Sequence, residues 1–152
     1  MPTSAEFALT PEMMREIIMD HNANPRHKRK SGDESALTAH SSSVNCIDDI
    51  DVYLSFSPEG KVKDACWDGV SCAITTASSD ILCDLLIGKT REEALSIIGE
   101  YMKMIHEEPY DASKLEEALA FANTSKQAAR IHCATIAFDA FKGLLEKGKS
   151  NG

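Results

Sequence analysis

No two of the five cysteines, at positions 46, 66, 72, 83 and 133, stand in the CxxC spacing of a zinc knuckle, so no metal site is legible from local spacing. Their number is odd. The opening MPTSAEFALTPEMMREII lacks a basic start followed by an apolar run, so no secretory signal is read there. Reduced thiols and a cytoplasmic location are therefore expected rather than a disulfide framework. Charge interrupts every apolar run well before the ~20 residues that a membrane span needs. Positive charge is also in deficit. A net charge of −8 argues against general binding to nucleic acid or anionic membranes, which reward a basic surface. No internal repeat or domain boundary appears. The 152 residues, 43% apolar and 26% charged, suit a single soluble domain spanning 1–152.

Local signals divide the chain into a helix, a block of strands and a run of helices. Thr10 is placed to cap a first helix with Pro11 at its first position, and Met13, Met14, Ile17 and Ile18 form its apolar stripe. Residues 20–35 are polar and read as a loop whose basic run is solvated. From Leu37 to Trp67 the period becomes two. Ile50, Val52, Leu54 and Phe56 alternate with polar neighbours, SPEG at 57–60 turns the chain, and KVKDACW returns it. Residues 37–45 supply an edge strand. Beyond Gly69 the pattern is helical: CAITTASSDILCDLLIG ends at Gly88, and Thr90 with Glu93 forms a capping box. Ser113 with Glu116 is read as a second capping box, and a last helix is expected over about 126–146. Strands in one block followed by helices predict an α+β fold, a small three-stranded antiparallel sheet with helices on one face.

In VNCIDDID, residues 44–51, Cys46 and Asp48 stand two apart where a strand begins, and so share a face. A buried carboxylate requires a partner, and a thiol with a carboxylate can form half of a metal site. Cys72 follows DGVS at a helix start, where free N–H groups and the helix dipole favour a thiolate. Cys133 lies in the last helix just after Arg130 and His132. For these three cysteines, spacing alone leaves core packing and metal ligation open. Cys66, beside Trp67 in a strand, reads as core. Cys83 does too, since three helical turns, roughly 16 Å, separate it from Cys72. His21, His27, His40 and His106 have no partner that the sequence names, and they are read as lacking a functional role.

Those same residues carry a resemblance. DHNANPR (20–26), NVNCIDDI with Cys46, Asp48 and Ile50, DACWDGVSCAI with Cys72, TTAS (75–78) and ARIHCA with Cys133 together resemble the U-type iron–sulfur cluster assembly proteins. That family comprises IscU, SufU and the N-terminal part of NifU, and the likeness runs over about residues 9–146. Two family glycines are replaced here, by Ile47 after the first cysteine and by Ser71 before the second. The long interval between Cys72 and Cys133 and the presence of Arg130 resemble the SufU type. His132 resembles IscU, whose LPPVK stretch is absent.

The resemblance implies a Cys46, Asp48, Cys72 and Cys133 site for zinc or iron, with a transient 2Fe-2S cluster. Three thiolates suit such a soft site, and one harder oxygen ligand gives it a replaceable corner. The implied function is a scaffold that accepts persulfide sulfur from a cysteine desulfurase at Cys46 and delivers clusters to recipient iron–sulfur proteins. His132 is then an auxiliary ligand, and Arg130 a partner for Asp48 or a thiolate. The alternatives are a zinc-dependent sulfurtransferase that stimulates the desulfurase, and a structural zinc module.

Overall fold

The computed structural model describes residues 9–42 and 47–150, the last three as backbone only. Helix α1 (Pro11–Ala23) begins as its capping signals require: Met13 N–H donates to Thr10 Oγ1 at 3.1 Å, with proline in the first turn. Strands β1 (Leu37–Ser42), β2 (Asp49–Phe56) and β3 (Val62–Val70) form one antiparallel sheet in that order. The alternation along β2 places Ile50, Val52 and Leu54 fully inside. Opposite them in register stand Gly69, Trp67 and Ala65, so this face is the one the helices cover.

Helices α2 (Ala73–Leu86), α3 (Arg91–Ile105) and α4 (Ala128–Ser150) make up the second layer, α2 against β3 and α4 against β1 and β2. The three-stranded antiparallel sheet with its helices is the expected α+β class. α2 is more central than a single apolar stripe suggests, because it is buried continuously from Thr75 to Cys83. It ends at Leu86 with Ile87 as its C-cap, and Gly88 follows at φ 88°, a conformation open to glycine. The Thr90–Glu93 capping box is present in both directions at the start of α3. Tyr101 of α3 stacks on Phe138 of α4, and its hydroxyl donates to the Ala134 carbonyl at 2.8 Å. That bond fixes α4 one residue beyond Cys133.

The segment between α3 and α4 differs from expectation. Ser113 does not open a capped α-helix; Asp111 caps a short 3-10 turn (Ala112–Lys114), and Glu116 then adopts φ 45°. The following residues, Glu116–Lys126, wind as 3-10 helix. A left-handed residue at the proposed third helical position is incompatible with the capping box.

The basic run after α1 is also more than a solvated loop. Main-chain bonds join Arg29 N–H to the Trp67 carbonyl (2.7 Å) and Trp67 N–H to the His27 carbonyl (3.1 Å), covering the open edge of β3. Arg29 pairs with Asp64, and the Lys28 ammonium lies 5.4 Å from the Trp67 ring centre.

On the sheet's other face His40 sits between Asp51 (Nδ1, 2.8 Å) and Asp49 (Nε2, 2.9 Å). The hydrogen bond that His40 donates to Asp51 and the two carboxylate charges raise its pKa above the usual 6.5. A histidine titration followed by NMR is expected to place His40 above 6.5, with Asp51→Asn bringing it back down. Because the folded value is the raised one, this pairing supports the fold fully below pH 6.5 and is lost as pH climbs through the elevated value. An unshifted His40 in the parent would contradict the pairing.

Candidate metal centre

Three chain segments meet at the upper end of the β2–β3 hairpin. Asp48 immediately precedes β2, Cys72 follows β3 as the N-cap of α2, and Cys133 lies in the second turn of α4. Gly69 is what lets the hairpin close there. It sits at φ 131°, and a Cβ on it would come within 2.3 Å of the Asp49 carbonyl oxygen and 2.9 Å of Ile50 Cα. Any side chain would force β2 from β3 and carry Asp48 away from Cys72.

One ligand atom from each of Asp48, Cys72 and Cys133 lies within 4.8 Å of the others. Among the described residues this is the one group of three or more His, Cys, Asp or Glu side chains that converges in this way. Asp48 is 1% exposed and Cys133 6% exposed, while Cys72 is half-buried and gives the group its opening to solvent. A tetrahedral zinc with bonds of about 2.3 Å to sulfur sets neighbouring sulfurs roughly 3.8 Å apart. Cys72 Sγ and Asp48 Oδ2 already stand 3.9 Å apart, so contraction of about 1 Å or less closes the group on an ion. Two soft thiols and one carboxylate fit zinc or iron in donor chemistry.

Asp48 is held by the first turn of α2. Its Oδ1 accepts the Cys72 N–H at 2.8 Å, and its Oδ2 accepts the Thr75 hydroxyl at 2.6 Å. The Cys72 N–H is one of the donors that a helix start leaves free, which is why a carboxylate settles there. Cys72 Sγ itself caps the helix, accepting Thr75 N–H at 3.4 Å. The Ser78 hydroxyl reaches the Cys133 carbonyl at 3.2 Å, tying α2 to α4, and Thr75 Oγ1 lies at the same distance from that oxygen. Thr75 and Ser78 belong to the TTAS segment, yet their contacts were not foreseen, because a sequence does not show which carbonyl of a distant helix a hydroxyl will meet.

The other predicted residues fall as follows. Cys46 lies outside the described residues, two positions before Asp48. His132 and Arg130 are exposed on α4, one and three residues before Cys133; Arg130 lines a groove with Met14, Arg15, Ile18 and Ile74. Cys66 and Cys83 are core, and burial pushes the thiol pKa of both upward, that of Cys83 strongly. Ile47 is exposed and the Ser71 hydroxyl meets Thr76 Oγ1 at 2.6 Å. Ser71 does not have a positive φ, so the backbone there does not require the glycine it replaces.

Three of the histidines have partners that the sequence did not name. His21 is buried, with Nδ1 2.7 Å from Asp80 Oδ2 and Nε2 3.3 Å from Glu117 Oε1. His27 lies 3.2 Å from Asp84, and His40 is paired as described. Their partners are 59, 57 and 11 residues away in the chain, and no local pattern signals the first two.

Comparison with known proteins adds to the geometry. Residues 13–146 match the NifU-like N terminal domain family. The iron–sulfur cluster assembly scaffold protein IscU of Thermotoga maritima is 32% identical over 135 residues, covering 89% of this chain and 94% of that protein. The zinc-dependent sulfurtransferase SufU of Bacillus subtilis is 34% identical over 137 residues, covering 90% and 88%. The crystal structure of FiSufU from Fervidobacterium islandicum superposes with a TM-score of 0.77 at 24% identity, over 86% of this chain and 92% of that one, and shares the fold. No helix among the described residues is long and apolar enough to cross a membrane.

Proposed function

Since the chain belongs to the NifU-like N-terminal domain family, we propose that it is an iron–sulfur cluster assembly scaffold that takes up metal at Asp48, Cys72 and Cys133. The observation that carries this reading is the convergence of one carboxylate and two thiols, from three separate segments, to within 4.8 Å. Cys46 is proposed as the fourth ligand and as the sulfur acceptor. A bound iron or zinc supplies Lewis acidity that keeps the thiols deprotonated.

The chain's own groups do the rest. The first turn of α2 presents Cys72 Sγ at the half-open side and holds Asp48 behind it. Sulfur arrives when a thiolate of this chain attacks the terminal sulfur of a persulfide on a cysteine desulfurase. One sulfur–sulfur bond forms, one breaks, and the donor thiolate leaves. Recipient proteins take the finished 2Fe-2S cargo. Asp48 is the ligand suited to letting go, because a hard carboxylate oxygen is the weaker match in a soft site.

A second reading, a zinc-dependent sulfurtransferase, is favoured by one specific finding, the 34% identity to a protein of that name. Metal and acid-labile sulfide in protein purified without oxygen separate the two. Iron with matching sulfide, retained more firmly in Asp48→Ala than in the parent, is the scaffold's expected result. About one zinc per chain without sulfide, with no cluster absorbance after anaerobic reconstitution, assigns the sulfurtransferase instead.

A further inference from the structure

We propose that Thr75 is the positioning residue that keeps Asp48 in the ligand set, its hydroxyl proton committed to Asp48 Oδ2. The inference rests on the metal-binding reading of this site and names the group that orders it. Thr75 Oγ1 has three neighbours: Asp48 Oδ2 at 2.6 Å, the Cys133 carbonyl at 3.2 Å and Cys72 Sγ at 3.3 Å. It thus touches all three residues of the group, and it is fully buried.

A hydroxyl has one proton to give. Hydrogen bonds to a carboxylate are shorter and roughly twice as strong as those between neutral groups, and 2.6 Å is in their range. The Cys133 carbonyl has a second candidate donor, Ser78 Oγ at 3.2 Å, whose other acceptor is the Thr75 carbonyl at 3.3 Å. The proton therefore goes to Asp48, and the lone pairs of Oγ1 remain for the thiol of Cys72. Together with the Cys72 N–H on Oδ1, this gives each carboxylate oxygen one donor from the same helical turn. Two donors on a rigid turn fix both the direction and the twist of the carboxylate. Without the Thr75 donor, Oδ2 loses the shorter of these two bonds, and the twist of the carboxylate is held less firmly.

The test is zinc affinity by competition with a chromophoric chelator, and cobalt(II) absorption as an independent reading of thiolate coordination. The variants are Thr75→Val, which keeps the shape and removes the proton, and Thr75→Ser, which keeps the proton. Loss of a partner that orients a ligand weakens metal binding about 10–100-fold, which is the expectation for Thr75→Val, with Thr75→Ser within about threefold of the parent. In an Asp48→Ala background, Thr75→Val is expected to have no further effect. Thr75→Val within about threefold of the parent overturns the proposal, as does an equal loss with and without Asp48. Should valine impair folding, Thr75→Ala is measured in the same two backgrounds. A parent that takes up neither zinc nor cobalt defeats the metal-site reading itself. A parent that binds, matched by Thr75→Val, defeats only the role of Thr75.

Discussion

Asp80→Ala is expected to cost about 3–5 kcal/mol of folding stability, the usual penalty for leaving one member of a buried polar pair without the other. Asp80 is fully buried in α2 and accepts three hydrogen bonds: His21 Nδ1 at 2.7 Å and Arg26 N–H at 3.0 Å on Oδ2, and His27 N–H at 2.7 Å on Oδ1. One carboxylate thus pins the end of α1 and the edge-covering segment to the central helix. Alanine leaves a 2%-exposed imidazole without its acceptor, a desolvated donor costing about 1–3 kcal/mol, and also removes the acceptor of two part-buried backbone N–H groups. The control is one turn away. Asp84 meets His27 with a side chain 61% exposed, so Asp84→Ala should cost less than about 1 kcal/mol. Urea unfolding of both variants decides. Equal losses, or an Asp80→Ala loss below about 1 kcal/mol, would show that the buried pair does not hold α1 in place.

The second large effect is a separation of function from fold. Cys72→Ser is expected to weaken zinc binding by more than the hundredfold typical of losing an orienting partner, because the ligand itself is removed. The metal-free variant should be as stable as the metal-free parent, or more so. Cys72 is the N-cap of α2 through a sulfur acceptor at 3.4 Å, and serine is among the best N-caps, a gain of up to about 1 kcal/mol. The difference reappears on adding metal. Zinc in excess should raise the melting temperature of the parent, since binding to the folded state alone stabilises it, and leave that of Cys72→Ser where it was. Thermal melts with and without zinc measure all four states. A metal-free Cys72→Ser that melts well below the parent would mean the thiol serves packing, which favours the structural reading of this cysteine.

Much of the fold was legible because its signals are local. Thr10 with Pro11 and Thr90 with Glu93 cap helices within four residues, and the alternation of β2 is settled by neighbours two apart. The same logic failed where a local pattern met an incompatible backbone: Ser113 and Glu116 have capping-box identities, yet Glu116 takes a left-handed φ. Long-range pairs left no trace at all. Nothing near His21 announces Asp80, and nothing near Thr75 announces Asp48 or the Cys133 carbonyl. The membership of Asp48, Cys72 and Cys133 came from resemblance; their meeting is a property of the packed helices and hairpin.

The placement of that group also bears on how the chain assembles. Asp48 and Cys72 are 24 residues apart and are brought together by a single hairpin, whereas Cys133 joins across a 58-residue separation from Thr75 when α4 docks. In a flexible chain the longer closure costs less than about 1 kcal/mol more than the shorter. The hairpin is therefore a two-pronged claw that forms from nearby sequence, and α4 is the arm that shuts it. An ion caught by all three fastens the arm to the claw, much as a cross-link would. The Ser78 and Tyr101 hydroxyls already hold α4 at the hairpin mouth through the Cys133 and Ala134 carbonyls, so such an ion would reinforce an arm that packing has docked.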